Sequence, residues 1–361
     1  MTGAELKAWL GLGLIPRLGP VAFRKLLSRF ANPESALAAS KTALEQVVGP
    51  ALATSVSQGP DAQLLARALD WAEGEGNRVL TLADKDYPHN LLEISDPPPL
   101  LYLKGNAGLL QRDAIAIVGS RNATPQGIEN AEAFSCELSD SGFTIVSGLA
   151  LGIDAAAHRG GLGGTNATIA VVATGLDNVY PARNRDLAHE ISRHGLLVSE
   201  FALGTRPLAG NFPRRNRLIS GLSRGVLVVE AAVKSGSLIT ARFALEQGRE
   251  VFAIPGSVHS PLSRGCHALI KQGAKLVETS ADILEEFGRQ TTVNSLNSSR
   301  VVSQKHPELL QAIGFDPVDL DTVCVRCDLT AEKASAMLLE LELDGAVVKL
   351  AGGKYQQIRQ W

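Results

Sequence analysis

The chain has 361 residues, of which 45% are hydrophobic and 20% are charged, and its formal net charge is −2. This length allows two or three domains, and the composition is ordinary for a globular protein with a sizeable core. The apolar runs are shorter than the roughly 20 residues that cross a bilayer, and the N-terminal segment lacks the apolar core of a secretory signal. These features exclude a membrane protein and predict a cytoplasmic one.

The cysteine content fits the same compartment. The four cysteines are Cys136, Cys266, Cys324 and Cys327. So few thiols are typical of a reduced cytoplasmic protein. Cys324 and Cys327 form a single CVRC, but zinc would need a second pair of ligands at suitable spacing and none lies nearby. We therefore expect no metal and no cofactor, and we interpret the pair as buried apolar thiols.

Residues 1–72 have the pattern of short amphipathic helices separated by glycine and proline, without the alternation of a strand. Within them, residues 15–30 (IPRLGPVAFRKLLSRF) resemble a helix-hairpin-helix, in which a glycine turn offers backbone amides to phosphate. Lys25 and Arg29 are four residues apart and are expected on one helix face. They are secondary candidates for phosphate contact, and simple helix packing is the alternative.

Residues 76–288 alternate short apolar runs with helical patterns. The runs are 79–82, 114–119, 143–148, 168–175, 196–200, 225–231, 251–256 and 274–278. Most of the stretches between them suit a crossover helix, and unbroken Val/Ile/Leu runs joined in this way indicate a parallel sheet buried on both faces. The sequence therefore predicts an α/β fold with a doubly wound, mostly parallel sheet.

Two segments follow the predicted sheet. Residues 289–304 are rich in Thr, Ser, Asn and Gln and are interpreted as a linker. Residues 305–361 contain two helical segments and then two short strands around a Gly-Gly pair, the order typical of a winged helix. This domain holds nine acidic and six basic side chains. Because its charge disfavours entry into a duplex groove, we expect a protein contact or a regulatory role.

Unusual residues lie where the predicted strands end. In an open parallel sheet, ligands bind beyond the carboxyl ends of the strands. The segment 119–121 (GSR) follows one run; its glycine lets the backbone approach a phosphate, and Arg121 supplies a charged, forked donor. The segment 234–237 (KSGS) follows another run and precedes a helix. Such turns predict a rim of backbone donors along one edge of the sheet.

The stretch 201–224 carries five arginines and no acidic residue, in a chain with a negative net charge. The arginines are Arg206, Arg214, Arg215, Arg217 and Arg224. Phe212 and Asn216 lie among them, and basic side chains beside an aromatic ring and amides suit a phosphate backbone with exposed bases. A solvated loop balanced by distant acids is the alternative for the run alone. Its position between two predicted strands places it at the same edge.

Acidic residues bear on whether the chain is an enzyme. Glu200, Glu230 and Asp177 could perform acid–base chemistry at the strand ends, but we favour the interpretation that they hold nearby basic side chains in place. Asp154 is interpreted as a helix N-cap and His158 as a structural histidine. The chain has no GxxxxGK[ST] motif, so ATP hydrolysis by a P-loop is not expected.

Several motifs resemble the DprA/Smf family. They are VGSR, SGLALGIDAAAH, TGLDNVYPARN, NFPRRNRLISGLS and VVEAAVKSGSLITARFALEQGREVFAIPG. The resemblance implies an extended Rossmann-like domain at 76–288, between a helical SAM/helix-hairpin-helix-like domain and a winged helix of the DML1-like type. It also implies a non-enzymatic cytoplasmic homodimer, joined through the Rossmann domain. Such a protein binds and protects incoming single-stranded DNA during natural transformation and helps load RecA for recombination.

The resemblance also assigns residues to DNA contact. Phe212 matches the phenylalanine of an FPxRNR motif and is a candidate for stacking on a base. Relatives place a lysine three residues earlier, where this chain has Ala209, so Arg206 or Arg215 is expected to supply that charge. The candidate DNA-binding residues are Gly119, Ser120, Arg121, Arg206, Phe212, Arg214, Arg215, Asn216, Arg217, Lys234, Ser235, Gly236 and Ser237, with Lys25 and Arg29 as secondary candidates.

Replacing Arg121 or Arg217 with alanine is predicted to weaken single-strand binding while leaving the fold intact. Two alternatives stay open. One is a nucleotide-acting enzyme of the related Rossmann group, similar to a phosphoribohydrolase, although the chain lacks that group's PGGxGTxxE motif. The other is a protein scaffold whose arginines bind an acidic partner.

Overall fold

The computed structural model describes residues 2–289, 305–350 and 352–358. Its N-terminal part consists of helices with defined starts. Helices α1 to α5 are Gly3–Gly13, Pro20–Phe30, Pro33–Ala38, Lys41–Gln58 and Ala62–Ala72. Thr2 and Glu5 form a capping box at α1, and proline at the first position starts α2 and α3 because its missing N–H is not needed there. The predicted run of short helices is therefore present.

The central part of the chain forms a sheet of nine described strands. Strands β1 to β9 are Asn77–Thr81, Leu100–Gly105, Ala114–Val118, Thr144–Ser147, Thr168–Val171, Leu196–Ser199, Gly225–Val228, Glu250–Ala253 and Lys275–Leu276. Their order across the sheet is β1-β2-β6-β5-β4-β3-β7-β8-β9. All neighbours from β6 to β9 pair in parallel, whereas β2 pairs antiparallel with β1 and β6. The predicted α/β fold with a mostly parallel, doubly wound sheet is confirmed.

Strand β2 is absent from the predicted runs. Its residues are four consecutive buried apolar side chains followed by Lys104 and Gly105, and they follow three prolines, Pro97 to Pro99. The run lies outside the regular strand–helix alternation, because β2 joins the sheet as an antiparallel strand without a crossover helix. It extends the sheet beyond its parallel core.

Helices cover both faces of the sheet. Helices α6 to α13 are His89–Leu92, Pro125–Asp140, Ile153–Gly163, Arg185–His194, Asn211–Gly221, Ser237–Glu246, Arg264–Lys271 and Ser280–Glu286. The N-terminal helices pack against the strands as well, since Trp9 and Phe23 belong to the same buried cluster as Val79, Leu100 and Tyr102. No described helix has the length and apolar character required to cross a membrane.

The order of the strands reverses direction beside β3. The chain runs outward from β3 through β4 and β5 to β6, and then returns to the other side of β3 with β7. The crossovers beside β3 therefore leave in opposite directions, which opens a crevice beyond the carboxyl ends of β3 and β7. Ligands of doubly wound proteins bind at such a switch point.

The C-terminal part has helices α14 to α16 and strands β10 to β12. They are Pro307–Ile313, Leu320–Cys327 and Ala331–Leu343, and Val318–Asp319, Val347–Leu350 and Lys354–Gln357. The strands form an antiparallel sheet in the order β10-β12-β11. The predicted winged helix is thus present, with Gly352 and Gly353 at positive φ before the last strand. Of the predicted linker 289–304, only Arg289 lies within the described residues.

The CVRC pair lies on α15. Cys324 and Cys327 are half-buried, and the four cysteines are free thiols. The expectation that this pair is buried is therefore wrong, because α15 is a short helix of the winged domain that buries only Val323.

Candidate nucleic-acid interface

A cavity of about 620 Å³ opens at the switch point between β3 and β7. It is walled by the loops that follow these strands and by the first turns of α10 and α11. The predicted contact residues that line it are Gly119, Ser120, Arg121, Phe212, Arg215, Asn216, Lys234, Ser235, Gly236 and Ser237. Arg206, Arg214 and Arg217 do not line it. The structure therefore brings most of the predicted set together in one place.

The loop after β3 needs glycine for close packing. A side chain at Gly119 would place its Cβ 2.6 Å from Ile153 and 2.9 Å from the backbone oxygen of Glu230. The loop ends at Thr124, whose hydroxyl accepts from Gly127 N at 2.9 Å and caps α7. Thr124 followed by Pro125 is a typical helix start, and this arrangement leaves Arg121 exposed at the mouth of the cavity.

The carboxylate of Glu230 fixes this loop. It accepts hydrogen bonds from Thr124 N at 3.0 Å and from Thr124 Oγ1 at 2.5 Å. Burial raises the pKa of Glu230, and these two hydrogen bonds oppose that rise. Glu230 therefore supports the β3–α7 loop. This differs from the role expected from the sequence, which was to hold a basic side chain in place.

Asp154 differs from its predicted role. The N-cap of α8 is Gly152, at φ 73°, where a side chain would also collide with the backbone oxygen of Ser120. Asp154 lies in the first turn and accepts from the loop amides of Gly148 at 3.2 Å and Ala150 at 3.3 Å. It orders the loop after β4 from inside, so the N-cap prediction is wrong. The cause is that the loop folds back over the helix start.

His158 is buried and fully hydrogen bonded. Its Nε2 accepts from Leu149 N at 3.2 Å, so the proton of the neutral ring sits on Nδ1, which lies 2.7 Å from Thr168 Oγ1. Burial lowers the pKa of His158 to about 3. The residue holds Leu149 at φ 59°, which agrees with a structural histidine.

The loop after β7 presents donors toward the cavity. Lys234 is exposed, and Ser235 Oγ lies 2.7 Å from Ser237 Oγ at the start of α11. Asn216 donates to Gly236 O at 3.3 Å, which ties α10 to this loop. A Cβ at Gly236 would meet no atom within 4 Å, so a ligand can approach the backbone at a helix N-terminus, where anions are favoured.

Phe212 stands between two cavities. Its ring lies 5.4 Å from the guanidinium carbon of Arg121, at the distance of a cation–π contact. On its other side, the ring of Tyr180 lies 5.9 Å away, centroid to centroid, and a second cavity of about 100 Å³ is lined by Phe212, Tyr180 and Arg121. An aromatic ring half exposed beside a free cation can stack on a planar group.

Arg215 is buried beneath the cavity. Its guanidinium donates to Gly148 O and to Val171 O, the latter at 2.7 Å. Burial lowers the pKa of Arg215 to about 10, and the charge of Asp154 opposes that effect. Burial likewise raises the pKa of Asp154 and Arg215 opposes the rise. Arg215 thus joins the ends of β4 and β5 to α10, and only its edge reaches the ligand space.

Arg217 is more deeply committed to the fold than predicted. Its guanidinium forms an ion pair with Glu200 and donates to Asp96 O at 2.6 Å; the two side chains are 9% and 2% exposed. Burial raises the pKa of Glu200, and Arg217 opposes the rise most strongly. Without Arg217, the buried Glu200 carboxylate would keep only its longer contact with Arg214, and without Glu200, Arg217 would keep only Asp96 at 3.8 Å. We therefore expect Arg217→Ala to destabilise the protein, in place of the expectation from the sequence that the fold would stay intact.

The remaining arginines of the run lie outside the cavity. Arg214 stacks on Phe201 at 5.2 Å and lies 3.5 Å from Glu200, and Arg206 is exposed in the loop before α10. Arg224 immediately precedes β7, at the opposite edge of the sheet, and pairs with Asp113 at 3.2 Å. The run is therefore shared among the cavity, the interior and the far edge.

Some features of the site were not anticipated. Tyr180 is not among the predicted contact residues, although an aromatic residue after a strand end in the motif TGLDNVYPARN was a usable signal. Asp177 pairs with Arg67 at 2.5 Å, a contact with the N-terminal helices that no local pattern indicates. Lys25 and Arg29 are exposed on one face of α2 and do not line the cavity.

The charged side chains that line the cavity are Arg121, Arg215, Lys234 and Asp154, with a net positive charge. Backbone amides of two glycine loops and a helix N-terminus add directed donors. Phosphate oxygens would meet both kinds of donor, and an adjacent planar base would meet Phe212. The protein is thus a doubly wound, Rossmann-like protein whose switch-point crevice, the usual ligand site of such sheets, carries donors suited to phosphate.

Comparison with known proteins identifies two matching family models and several similar relatives. The family described as DNA recombination-mediator protein A matches residues 78–288, and the DprA winged helix domain matches residues 296–353. Protein Smf of Escherichia coli (strain K12) is 43% identical over 302 residues, which are 81% of this chain and 80% of that protein. DNA processing protein DprA of Streptococcus pneumoniae is 50% identical over 207 residues, 57% of this chain and 73% of that protein.

Two solved structures share the fold. DprA from Streptococcus pneumoniae superposes with a TM-score of 0.68 at 40% identity, covering 79% of this chain and 98% of that one. DNA processing protein A from Helicobacter pylori, reported for its single-stranded DNA binding, has a TM-score of 0.53 at 32% identity, covering 58% of this chain and 95% of that one. The chain belongs to the DprA/Smf family of DNA processing proteins.

Proposed function

We propose that the chain binds single-stranded DNA in the cavity between β3 and β7. The observation that carries the proposal is the convergence of Arg121, Lys234 and Phe212 around one cavity at the switch point. Arg121 and Lys234 are exposed and form no ion pair among the described residues, although the charge of Arg121 acts on the buried Asp154; both cations can therefore reach phosphates. The similarity to the Helicobacter pylori protein, whose single-stranded DNA binding is known, supports the same ligand.

The buried arginines have a supporting role in this proposal. Arg215 and Arg217 hold α10 against the strand ends, so that Phe212 at its N-terminal turn faces the cavity. Arg121, Lys234 and the backbone amides of the glycine loops would contact the phosphates directly. Arg206 and Arg214 belong to the segment that leads into the cavity and could contact a longer strand of DNA. Lys25 and Arg29 remain secondary candidates on α2.

Little base-edge recognition is expected, since the polar groups of the cavity match phosphate better than a particular base. The affinity should therefore depend little on the nucleotide sequence of the DNA and should fall steeply as the salt concentration rises. Fluorescence anisotropy with labelled single- and double-stranded oligonucleotides at two ionic strengths tests this. Tighter, salt-sensitive binding of the single strand supports the proposal, and affinity that Arg121→Ala leaves unchanged contradicts the assigned site.

We propose further that the protein acts in the cytoplasm as a homodimer through its Rossmann domain, protects the bound strand and helps load RecA. The family membership supports this role. RecA assembly on a labelled single strand, followed with and without the protein, tests it directly. Faster assembly is expected, and unchanged assembly at saturating protein would contradict it.

We also propose that the protein is not an enzyme. Three carboxylates near the strand ends are engaged in the fold: Glu200 with Arg217, Glu230 with Thr124 and Asp177 with Arg67. An assay for ribose 5-phosphate release from nucleoside monophosphates separates the phosphoribohydrolase-like alternative. The winged helix, with its excess of acids, is assigned to a protein contact or regulation.

A further inference from the structure

Exposed apolar side chains stand beside the cations at the carboxyl ends of the strands. Tyr180, Leu208, Val233 and Val258 are 45%, 59%, 62% and 69% exposed. They follow β5, β6, β7 and β8 in turn.

We call the first three of these residues the apolar rim. Tyr180 lines the smaller cavity. Leu208 and Val233 do not line a cavity themselves, but Leu208 precedes Ala209, which lines the larger one, and Val233 lies between two residues that line it, Ala232 and Lys234. The rim residues therefore belong to the segments that form the two cavities.

The sheet order places the rim on both flanks of Arg121. Tyr180 follows β5, on one side of β3, whereas Val233 follows β7 on the other side; Leu208 lies just before α10, at the end of the segment that connects β6 to this helix. A strand held at Arg121 by a phosphate would extend over both flanks. Its successive bases would then reach an apolar surface in either direction.

The combination of positive charge and apolar surface limits the classes of ligand that fit this edge of the sheet. An unpaired strand presents phosphates and flat apolar base faces side by side, and stacking on side chains is tolerant of sequence. A duplex presents phosphates outside and encloses its base faces, so it can use the cations but not the rim. An acidic protein would match the cations without needing planar contacts.

We propose that the apolar rim, Tyr180, Leu208 and Val233, contacts unpaired bases and thereby sets the preference for single-stranded over double-stranded DNA. This inference rests on the proposed function, and it adds the residues that select the form of DNA. Arg121 and Lys234 supply affinity that both forms share, and the rim supplies the affinity that requires free bases.

The test compares strands with and without bases. Binding of a labelled oligothymidylate, an abasic strand of the same length and a duplex is measured for the wild type and for the triple variant Tyr180→Ala, Leu208→Ser and Val233→Ser. We expect the variant to lose about tenfold in affinity for oligothymidylate, in line with the contribution of stacked bases. Its affinity for the abasic strand and the duplex should be unchanged, because the phosphate contacts are intact.

A matched control uses exposed leucines away from the cavity. Leu92 and Leu245 are also about half exposed, on α6 and near the C-terminal end of α11. The variant Leu92→Ser with Leu245→Ser should bind all three ligands as the wild type does. Since all of these side chains are exposed, circular dichroism and thermal unfolding should show the wild-type fold.

Three outcomes would overturn the inference. They are wild-type affinity of the triple variant for oligothymidylate, an equal loss for the abasic strand, and a change in self-association in place of a change in DNA binding. Arg121→Ala distinguishes these results from failure of the proposed function. If Arg121→Ala weakens binding of all three ligands but the rim variant weakens none, the rim inference alone is wrong; if neither has any effect, the proposed site fails as well.

Discussion

The two edges of the central sheet both carry basic side chains but use them differently. At the edge where the strands begin, Arg224 and Arg289 both pair with Asp113, at 3.2 and 2.7 Å, and Arg249 pairs with Glu93 at 2.8 Å. At the edge where the strands end, Arg121 and Lys234 are exposed and form no ion pair in the part of the chain that the structure describes. The arginines named at the first edge are ion-paired, whereas these two cations of the second edge are not.

This contrast shows why a run of basic residues is an incomplete guide to a binding site. The stretch 201–224 adds five positive charges in sequence, but Arg217 is neutralised by Glu200 and Arg224 by Asp113. A paired cation attracts a distant phosphate weakly, because the opposite charge beside it cancels most of its field. What defines the site is the set of cations left free by the fold.

The largest expected effect concerns a paired arginine. Arg217→Met leaves the buried Glu200 carboxylate with only its 3.5 Å contact to the half-exposed Arg214, and we expect the free energy of unfolding to fall by about 3–5 kcal/mol. Urea denaturation measures it. Arg224→Met, at the other edge, is the matched control and should cost less than about 1 kcal/mol, because that ion pair is exposed.

The double variant Arg217→Met with Glu200→Gln sharpens the same point. It removes both charges, so it should be more stable than Arg217→Met alone. If Arg217→Met unfolds at the wild-type urea concentration, the buried pair is not part of the fold as described, and the contrast between the edges loses its basis.

A second prediction concerns pH. Burial lowers the pKa of His158 to about 3 from an ordinary value of 6.5, so the folded state binds fewer protons than the unfolded state between these values. Stability should therefore fall as pH decreases through this window, by up to about 1.4 kcal/mol per pH unit. In His158→Gln this slope should be reduced, whereas the exposed His189→Gln should retain it.

Urea denaturation at several pH values, from neutral pH down to the pKa of His158, measures how the free energy of unfolding changes with pH. Equal slopes in the wild type and His158→Gln would show that His158 is not held neutral. The loop 148–152 would then need another support for Leu149 at the strand-end edge.

A smaller effect is expected from the aromatic ring at the cavity. Phe212→Ala removes the side chain that separates the two cavities, and we expect single-strand affinity to fall about tenfold, as for loss of one stacked base. Phe315→Ala is a matched control, since Phe315 is exposed in the winged domain. Anisotropy with a labelled oligonucleotide distinguishes them, and equal affinity in both variants would remove Phe212 from the contact.

The fold was predictable to the extent that its patterns are local. Unbroken apolar runs indicated the parallel strands, because this signal arises from neighbouring residues. Strand β2 escaped because it follows no crossover helix, and the switch point depends on strand order, which is a property of the whole chain.

The site was predictable by residue type and less so by role. The position of Arg215 on the inner face of α10 could have been read from its spacing to Leu218 and Leu222, three and seven residues on, which are buried. The partners of Arg217 could not, because Asp96 and Glu200 come from distant segments. Ion pairing between distant residues is decided by tertiary structure.

The most direct test of the account is the salt dependence of single-strand binding for two double variants. Arg121→Ala with Lys234→Ala removes two free cations at the strand-end edge, so the slope of log affinity against log salt should become shallower by about 1.4, near 0.7 for each lost phosphate contact. Arg224→Ala with Arg249→Ala removes two paired cations at the other edge and should leave the slope at the wild-type value. Equal slopes for the two variants would contradict the claim that DNA is held at the strand-end edge.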